Sequence, residues 1–262
     1  GDSGTGNKNA KRVRDAYKNY TGLRKTDLIL LLGDNAYSNG TDEEYQKKFF
    51  EIYPDLIRNS PVWPCLGNHD SASSDSSTQT GPYFDMFTIP VKGEAGGVPT
   101  GTEAYYSFDY ANVHFICLDS FDTDRSSGGA MMTWLKADLK ATSQEWIIAF
   151  WHHPPYTRTG HNSDHSQWSI EMRQNALPLL EQFGADLVLS GHSHAYERSF
   201  YLDGHYGPSG EIVHHPELVK NLGNGVSRPA PDANGPYTKR YKGKKAGRDG
   251  TVYVVAGSSG KL

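Results

Sequence analysis

Four short apolar runs of this chain end alike, in a tight turn that carries metal-binding side chains. Leu28 to Leu32 runs into Gly33-Asp34-Asn35-Ala36-Tyr37, and Val62 to Leu66 into Gly67-Asn68-His69-Asp70. Ile147 to Trp151 runs into His152-His153-Pro154-Pro155-Tyr156, and Leu187 to Leu189 into Ser190-Gly191-His192-Ser193-His194. Gly1-Asp2-Ser3-Gly4 is a fifth turn of the same kind. An Asp after Gly is ordinary turn chemistry when it stands alone. His-x-His says more, because alternate residues of an extended segment share a face. The ordered set says most: carboxylates, a phenol, an amide and imidazoles on successive strand ends make a donor set for hard and borderline cations.

For these turns to meet, the runs must lie side by side. Apolar runs of strand length alternate with segments of helical period, the pattern of a layered α/β fold whose strand C-termini border the ligand crevice. Helices are expected at Asn9 to Tyr20, Glu43 to Ile57 behind a Thr41 or Asp42 cap, Met131 to Lys140, and Gln167 to Phe183 with Pro178 interrupting. Strands are expected at Asp27 to Leu32, Val62 to Leu66, Trp146 to Trp151, Asp186 to Leu189 and Thr251 to Ala256. Tyr105 to Tyr110 and Val113 to Leu118 form a hairpin across Ala111-Asn112. Residues 71 to 81 read as a polar loop, and residues 202 to 250, rich in Gly, Pro and Lys, as an elaborated loop or lid. No linker divides the 262 residues, so one domain, 1–262, is expected. Its opening turn has no strand before it, which reads as a mature or trimmed piece lacking its natural first strand.

Composition narrows the classes. A chain of this length buries a full core without staples, and two cysteines, Cys65 and Cys117, exclude a disulfide scaffold or a four-cysteine zinc module. A net charge of −4 argues against a nucleic-acid partner. The longest apolar runs fall far short of the ~20 residues that span a bilayer, so no membrane partner is expected.

The order Gly-Asp-x-Gly, Gly-Asp-x-x-Tyr, Gly-Asn-His-Asp, His, Gly-His-x-His resembles the binuclear metallophosphoesterases. Within them, Tyr37 and the run Gly191-His192-Ser193-His194-Ala195-Tyr196-Glu197-Arg198 resemble the purple acid phosphatases. The resemblance covers residues 2 to about 203 and the closing strand Val252 to Gly260, and takes nothing from 202 to 250. It implies a four-layer α/β/β/α sandwich of two mixed sheets flanked by helices. It implies one metal on Asp2, Asp34, Tyr37 and His194, and a second on Asp34, Asn68, His152 and His192, with Asp34 bridging. Phenolate and carboxylates suit Fe(III), and imidazoles with an amide suit a divalent Fe, Zn or Mn. The implied reaction is hydrolysis of phosphate monoesters, small-molecule phosphate esters, by hydroxide on the metal pair. His69 would hold the phosphate charge. His161, nine residues past His152, or His165 would protonate the leaving group. The resemblance also implies a secreted or periplasmic protein, with which the sequons Asn19-Tyr20-Thr21 and Asn39-Gly40-Thr41 are compatible.

A phosphodiesterase or nucleotidase on the same site is the rival reading. A metal- or phosphate-binding protein without turnover is another, because Asp2 sits beside an α-amino group with no strand ahead to fix it. The remaining histidines take plainer roles. His153 should point away from His152 in an extended segment and act structurally or behind the site. His114 should be packed or partly exposed, and His205, His214 and His215 should lie on the loop surface. Cys65 and Cys117 read as small core residues, and the basic run Lys239 to Lys245 as a solvated loop that attracts anions.

Overall fold

A computed structural model describes residues 1–223, 237, 241 and 243–261. Its scaffold is a six-stranded mixed sheet whose middle is nearly all apolar. Strand β5 (Trp146–Trp151) shows why: Ile147, Ala149 and Trp151 enter a core on one face, while Ile148 and Phe150 enter a second core on the other. Burial on both faces is what an unbroken apolar run encodes. Around it lie β3 (Tyr106–Tyr110), β4 (Val113–Cys117), β6 (Leu187–Ser190), β7 (Tyr196–Arg198) and β10 (Val252–Ala256), in the order β3-β4-β5-β6-β10-β7. The four inner strands are parallel, and β3 and β7 close the edges antiparallel.

Two further strands, β1 (Ile29–Leu31) and β2 (Val62–Pro64), pair in parallel as a separate small sheet. Leu31, Leu66, Tyr83, Tyr106, Phe108, Phe115 and Phe150 fill the layer between it and the large sheet. On the opposite face, Leu135 and Leu139 of helix α5 (Ala130–Ala141) pack against Val188, Trp151 and Tyr253. The layers therefore run helix, large sheet, small sheet, helix, with a second sheet of two parallel strands among the described residues. Strands β8 (Tyr201–Leu202) and β9 (Val219–Asn221) form a short antiparallel pair within the expected lid. The rest of that segment, residues 224–236, 238–240 and 242, lies outside the described residues, and with it Lys239, Arg240 and Lys242 of the basic run.

Helix α1 (Lys8–Thr21) starts where Asn7 accepts from the N–H groups of Asn9 and Ala10. Its Val13 and Tyr17 line an apolar cavity of about 290 Å³ beside β1. The single helix expected over 43–57 is broken in two. Thr41 and Glu44 form a capping box for α2 (Asp42–Tyr45), which widens into a π-helical turn over Gln46–Phe50. Helix α3 (Pro54–Ile57) starts afresh at Pro54, which has no N–H to continue the ladder. The 167–183 helix does likewise: α6 (Gln167–Glu171) and α7 (Leu177–Gln182) flank a π-helical turn over Met172–Ala176 just before Pro178. Between α3 and α6, helix α4 (Pro82–Met86) buries Tyr83 and Phe84, and α5 completes the set.

Candidate metal centre

The C-terminal ends of β1, β2, β5 and β6 open on one side of the layers, where all five motif turns meet. His152, just past β5, donates through Nδ1 to the Leu32 carbonyl at 2.8 Å, tying the large sheet to the small one. Its other nitrogen, Nε2, then faces Asn68 Oδ1 at 3.2 Å and Asp34 Oδ1 at 3.4 Å. Asp2 Oδ1 lies 2.9 Å from the Tyr37 hydroxyl and 3.6 Å from His194 Nε2, and Tyr37 and His194 are 3.5 Å apart. Asp2 Oδ2 accepts from the backbone N–H of His192 at 2.9 Å. The rings of His152 and His192 meet edge to face, 5.1 Å between centroids. Asp2, Asp34 and His152 are fully or almost fully buried.

Asp2 needs no strand ahead of it to be fixed. Its N–H donates to the Gly33 carbonyl at 3.0 Å, its carbonyl accepts from Lys261 N at 3.2 Å, and Gly4 exchanges bonds with Asp34 and Tyr37. Asp2, Asp34 and His192 hold φ of 60°, 55° and 66°, three of the six non-glycine residues in the left-handed region among those described. Side chains pay for that conformation, and such residues collect at functional sites.

A residue that sequence reading gave no role supports the whole arrangement. Asp70, fully buried, accepts from the N–H groups of Gly67, Asn35 and Ala36, the Asn35 side-chain amide and the Tyr45 hydroxyl, at 2.8–3.2 Å. It locks the turn after β1 to the turn after β2. Burial and the charge of Asp34 push its carboxyl up to about 7, against the pull of those donors. Lys261, whose ammonium stands 5.1 Å over the Tyr37 ring, is a second residue unforeseen from sequence.

Burial and mutual charge shift six of these groups. Burial raises Asp2 to about 6. Asp34, despite burial that would raise it, is held below the usual carboxylate range by His152. Burial alone would lower His152, but Asp34 carries it up to about 9. Burial and the neighbouring imidazoles drive His192 far down, and burial also lowers His194. Tyr37 is pushed up by burial and by Asp2, so its phenol keeps its proton unless a cation displaces it.

His69 reaches the centre from the turn after β2. Its N–H donates to Asp34 Oδ1 at 3.0 Å, its Nδ1 is 2.6 Å from the Ser38 carbonyl, and its Nε2 is 3.9 Å from Asp34 Oδ2. His161 lies exposed at the mouth, its ring 4.1 Å from that of His192 and 5.9 Å from that of His194. Its loop is anchored by Thr157 to Ser193 and by Glu197 Oε1 to the N–H groups of Arg158 and Thr159. His165 is exposed too, and among the described residues no contact joins its side chain to the centre.

Two plainer readings change. His153 does not point away: β5 ends at Trp151, so strand alternation no longer applies, and its ring lies 4.3 Å from that of His192. His205 is buried and stacked on Tyr156, not at the surface, whereas His214 and His215 are exposed. His114 is wholly buried, 2.7 Å from both Asp109 and Asp138. Cys65 and Cys117 are buried and unbridged in the inter-sheet core.

Whether cations fit can be judged from the donors. One ligand atom from each of Asp2, Asp34 and His152 lies within 4.8 Å of the other two, and the same holds for His152, His153 and His192. With Nδ1 of His152 donating to Leu32, three acceptor atoms (His152 Nε2, Asn68 Oδ1 and Asp34 Oδ1) face one another, an arrangement that needs a proton or a cation among them. The Asp and His groups could therefore hold metal.

The calcineurin-like phosphoesterase family model matches residues 1–196. The chain is 34% identical over 180 residues to purple acid phosphatase 18 of Arabidopsis thaliana, covering 67% of this chain and 39% of that protein. It is 36% identical over 146 residues to purple acid phosphatase 23 of the same plant, covering 55% and 30%. Its fold superposes on a purple acid phosphatase from yellow lupin (Lupinus luteus) seeds with a TM-score of 0.64 at 18% identity, over 95% of this chain and 40% of that one. The chain thus spans well under half the length of these relatives. It belongs to the calcineurin-like phosphoesterases and is purple acid phosphatase-like among them.

Proposed function

We propose that this calcineurin-like phosphoesterase hydrolyses phosphate monoesters at a pair of metal ions. The observation that carries the reading is the buried convergence of acceptors, in which Asp2 and Asp34 stand with three imidazoles and, among the described residues, no Lys or Arg side chain hydrogen-bonds to or pairs with any of the five. Asp2, Tyr37 and His194 would hold one ion and Asn68, His152 and His192 the other, with Asp34 between them. The hard, anionic first set suits Fe(III), and the amide and imidazole set suits a divalent Fe, Zn or Mn. Such a pair, when bound, neutralises phosphate charge and acidifies water into a nucleophile.

The chain's own residues supply the rest. Leu32 fixes the His152 tautomer, so that its lone pair faces the pocket. His69, pinned by Ser38, turns its free nitrogen to the same side and meets the phosphate oxygens. His161 stands at the mouth over His192, where a leaving alkoxide would emerge, and gives it a proton. Substrates are small phosphate esters that reach this open mouth. A secreted or periplasmic protein agrees with the exposure of both sequon asparagines, Asn19 and Asn39. No described helix is long and apolar enough to cross a membrane.

The test is elemental analysis with an absorption spectrum on chelator-free protein, followed by p-nitrophenyl phosphate against its bis ester. Two metals per chain and preference for the monoester are expected. Preference for the diester would make it a phosphodiesterase, and two metals without turnover of either ester would leave a binding protein.

A further inference from the structure

His153 is held as a ligand is held, although sequence reading gives it a structural part. Its ring packs nearly parallel to Phe121, at 5.7 Å and 14°, and to Trp168, at 5.2 Å and 25°. Ser120 Oγ, also fully buried, takes the His153 backbone N–H at 3.0 Å and lies 3.0 Å from the ring's Nδ1. A hydroxyl oxygen has two lone pairs, so it can accept from both nitrogens, in the tautomer with the proton on Nδ1. Nε2 then carries a bare lone pair. That atom is buried and has no hydrogen-bond partner among the described residues. An unpaired buried nitrogen is costly, and a position like this calls for a missing partner. The neighbours say which: one nitrogen of His153 lies within 4.8 Å of a nitrogen of His152 and of His192. Nitrogens around a tetrahedral zinc stand about 3.4 Å apart, so a small inward rotation of the rings brings the three onto one ion.

We propose that His153, through Nε2, supplies a third imidazole to the ion held by His152 and His192, which makes that half of the centre selective for a borderline divalent metal such as zinc. The inference rests on reading the centre as a metal site.

Chelator-stripped full chain is titrated with zinc against a chromophoric chelator, in the wild type and in the His153→Phe, His153→Gln and His192→Ala variants. The imidazoles around one equivalent of zinc are counted by X-ray absorption, and metal-free melting temperatures are recorded. Both His153 variants should bind zinc at least about tenfold more weakly, with one imidazole fewer. The metal-free melting temperature of His153→Phe should stay level or rise, because the orphaned nitrogen is gone. An unchanged imidazole count, or wild-type zinc affinity in both variants while His192→Ala loses it, would overturn the inference and leave the metal centre standing. Absence of zinc binding by the wild type would remove both. If the Phe variant does not fold, the Gln variant decides by the same count and affinity.

Discussion

A single methyl group at Gly191 would probe how tightly the centre is built. A Cβ there would lie 2.6 Å from the Leu32 carbonyl oxygen, 2.8 Å from Asp2 Oδ2 and 3.2 Å from His152 Nδ1. Ordinary contact begins at 3.4 Å, so Leu32 O must retreat by about 0.8 Å and Asp2 Oδ2 by about 0.6 Å. These atoms carry the bonds that position the site: Leu32 O orients His152, and Asp2 Oδ2 takes the N–H of His192. Gly191 has no positive φ, so the effect of Gly191→Ala is steric and not conformational. Overpacking of this kind costs about 1–3 kcal/mol, and a displacement approaching 1 Å among reacting groups costs about 10²-fold in rate. The assay is kcat on p-nitrophenyl phosphate with metals restored, beside urea unfolding of the metal-free protein. Gly128→Ala, where nothing stands within 4 Å of the added carbon, is the control and should match wild type in both. Full activity and unchanged stability in Gly191→Ala would refute the close approach of these turns.

Two further outcomes follow from groups away from the proposed ligands or at their edge. His114, buried between Asp109 and Asp138, is raised above the ordinary histidine range by those carboxylates, against its burial. Because the folded-state value is the higher one, this stabilisation is complete below about pH 6.5 and is lost as pH rises through the raised value. His114→Phe strips Asp138 of a buried charged partner and should cost about 3 kcal/mol at pH 6, and less at pH 9; urea midpoints that differ from wild type equally at both pH values would contradict this. His161→Ala should slow alkyl phosphates far more than p-nitrophenyl phosphate, since only poor leaving groups need the proton. Equal loss across leaving groups would take that role from His161.

The motif turns were legible because each depends on local facts: an apolar run that must be buried, a residue that permits a turn, and a donor just beyond it. The strands β1, β2, β5 and β6 were legible for the same reason, and the parallel pairing of β1 with β2 and of β5 with β6 brings their ends together. What sequence could not give is set by contacts between distant segments. Asp70 reads as one more acidic turn residue, and its five donors exist only because the turns at 35–36 and 67 and the end of α2 close around it. His153 fails for a different reason. Alternation assigns faces only while the chain stays extended, and β5 stops two residues too soon, which lets consecutive histidines turn into the same pocket. The break at Pro178 was read from the sequence and the one at Pro54 was not, and neither π-helical turn has a signal in the pattern of residues, although each carries buried side chains, Phe49 in one and Met172 and Ala176 in the other. At β5 the boundary of legibility therefore lies one residue past the strand end: up to His152 periodicity decides where a side chain points, and beyond it the meeting of turns decides.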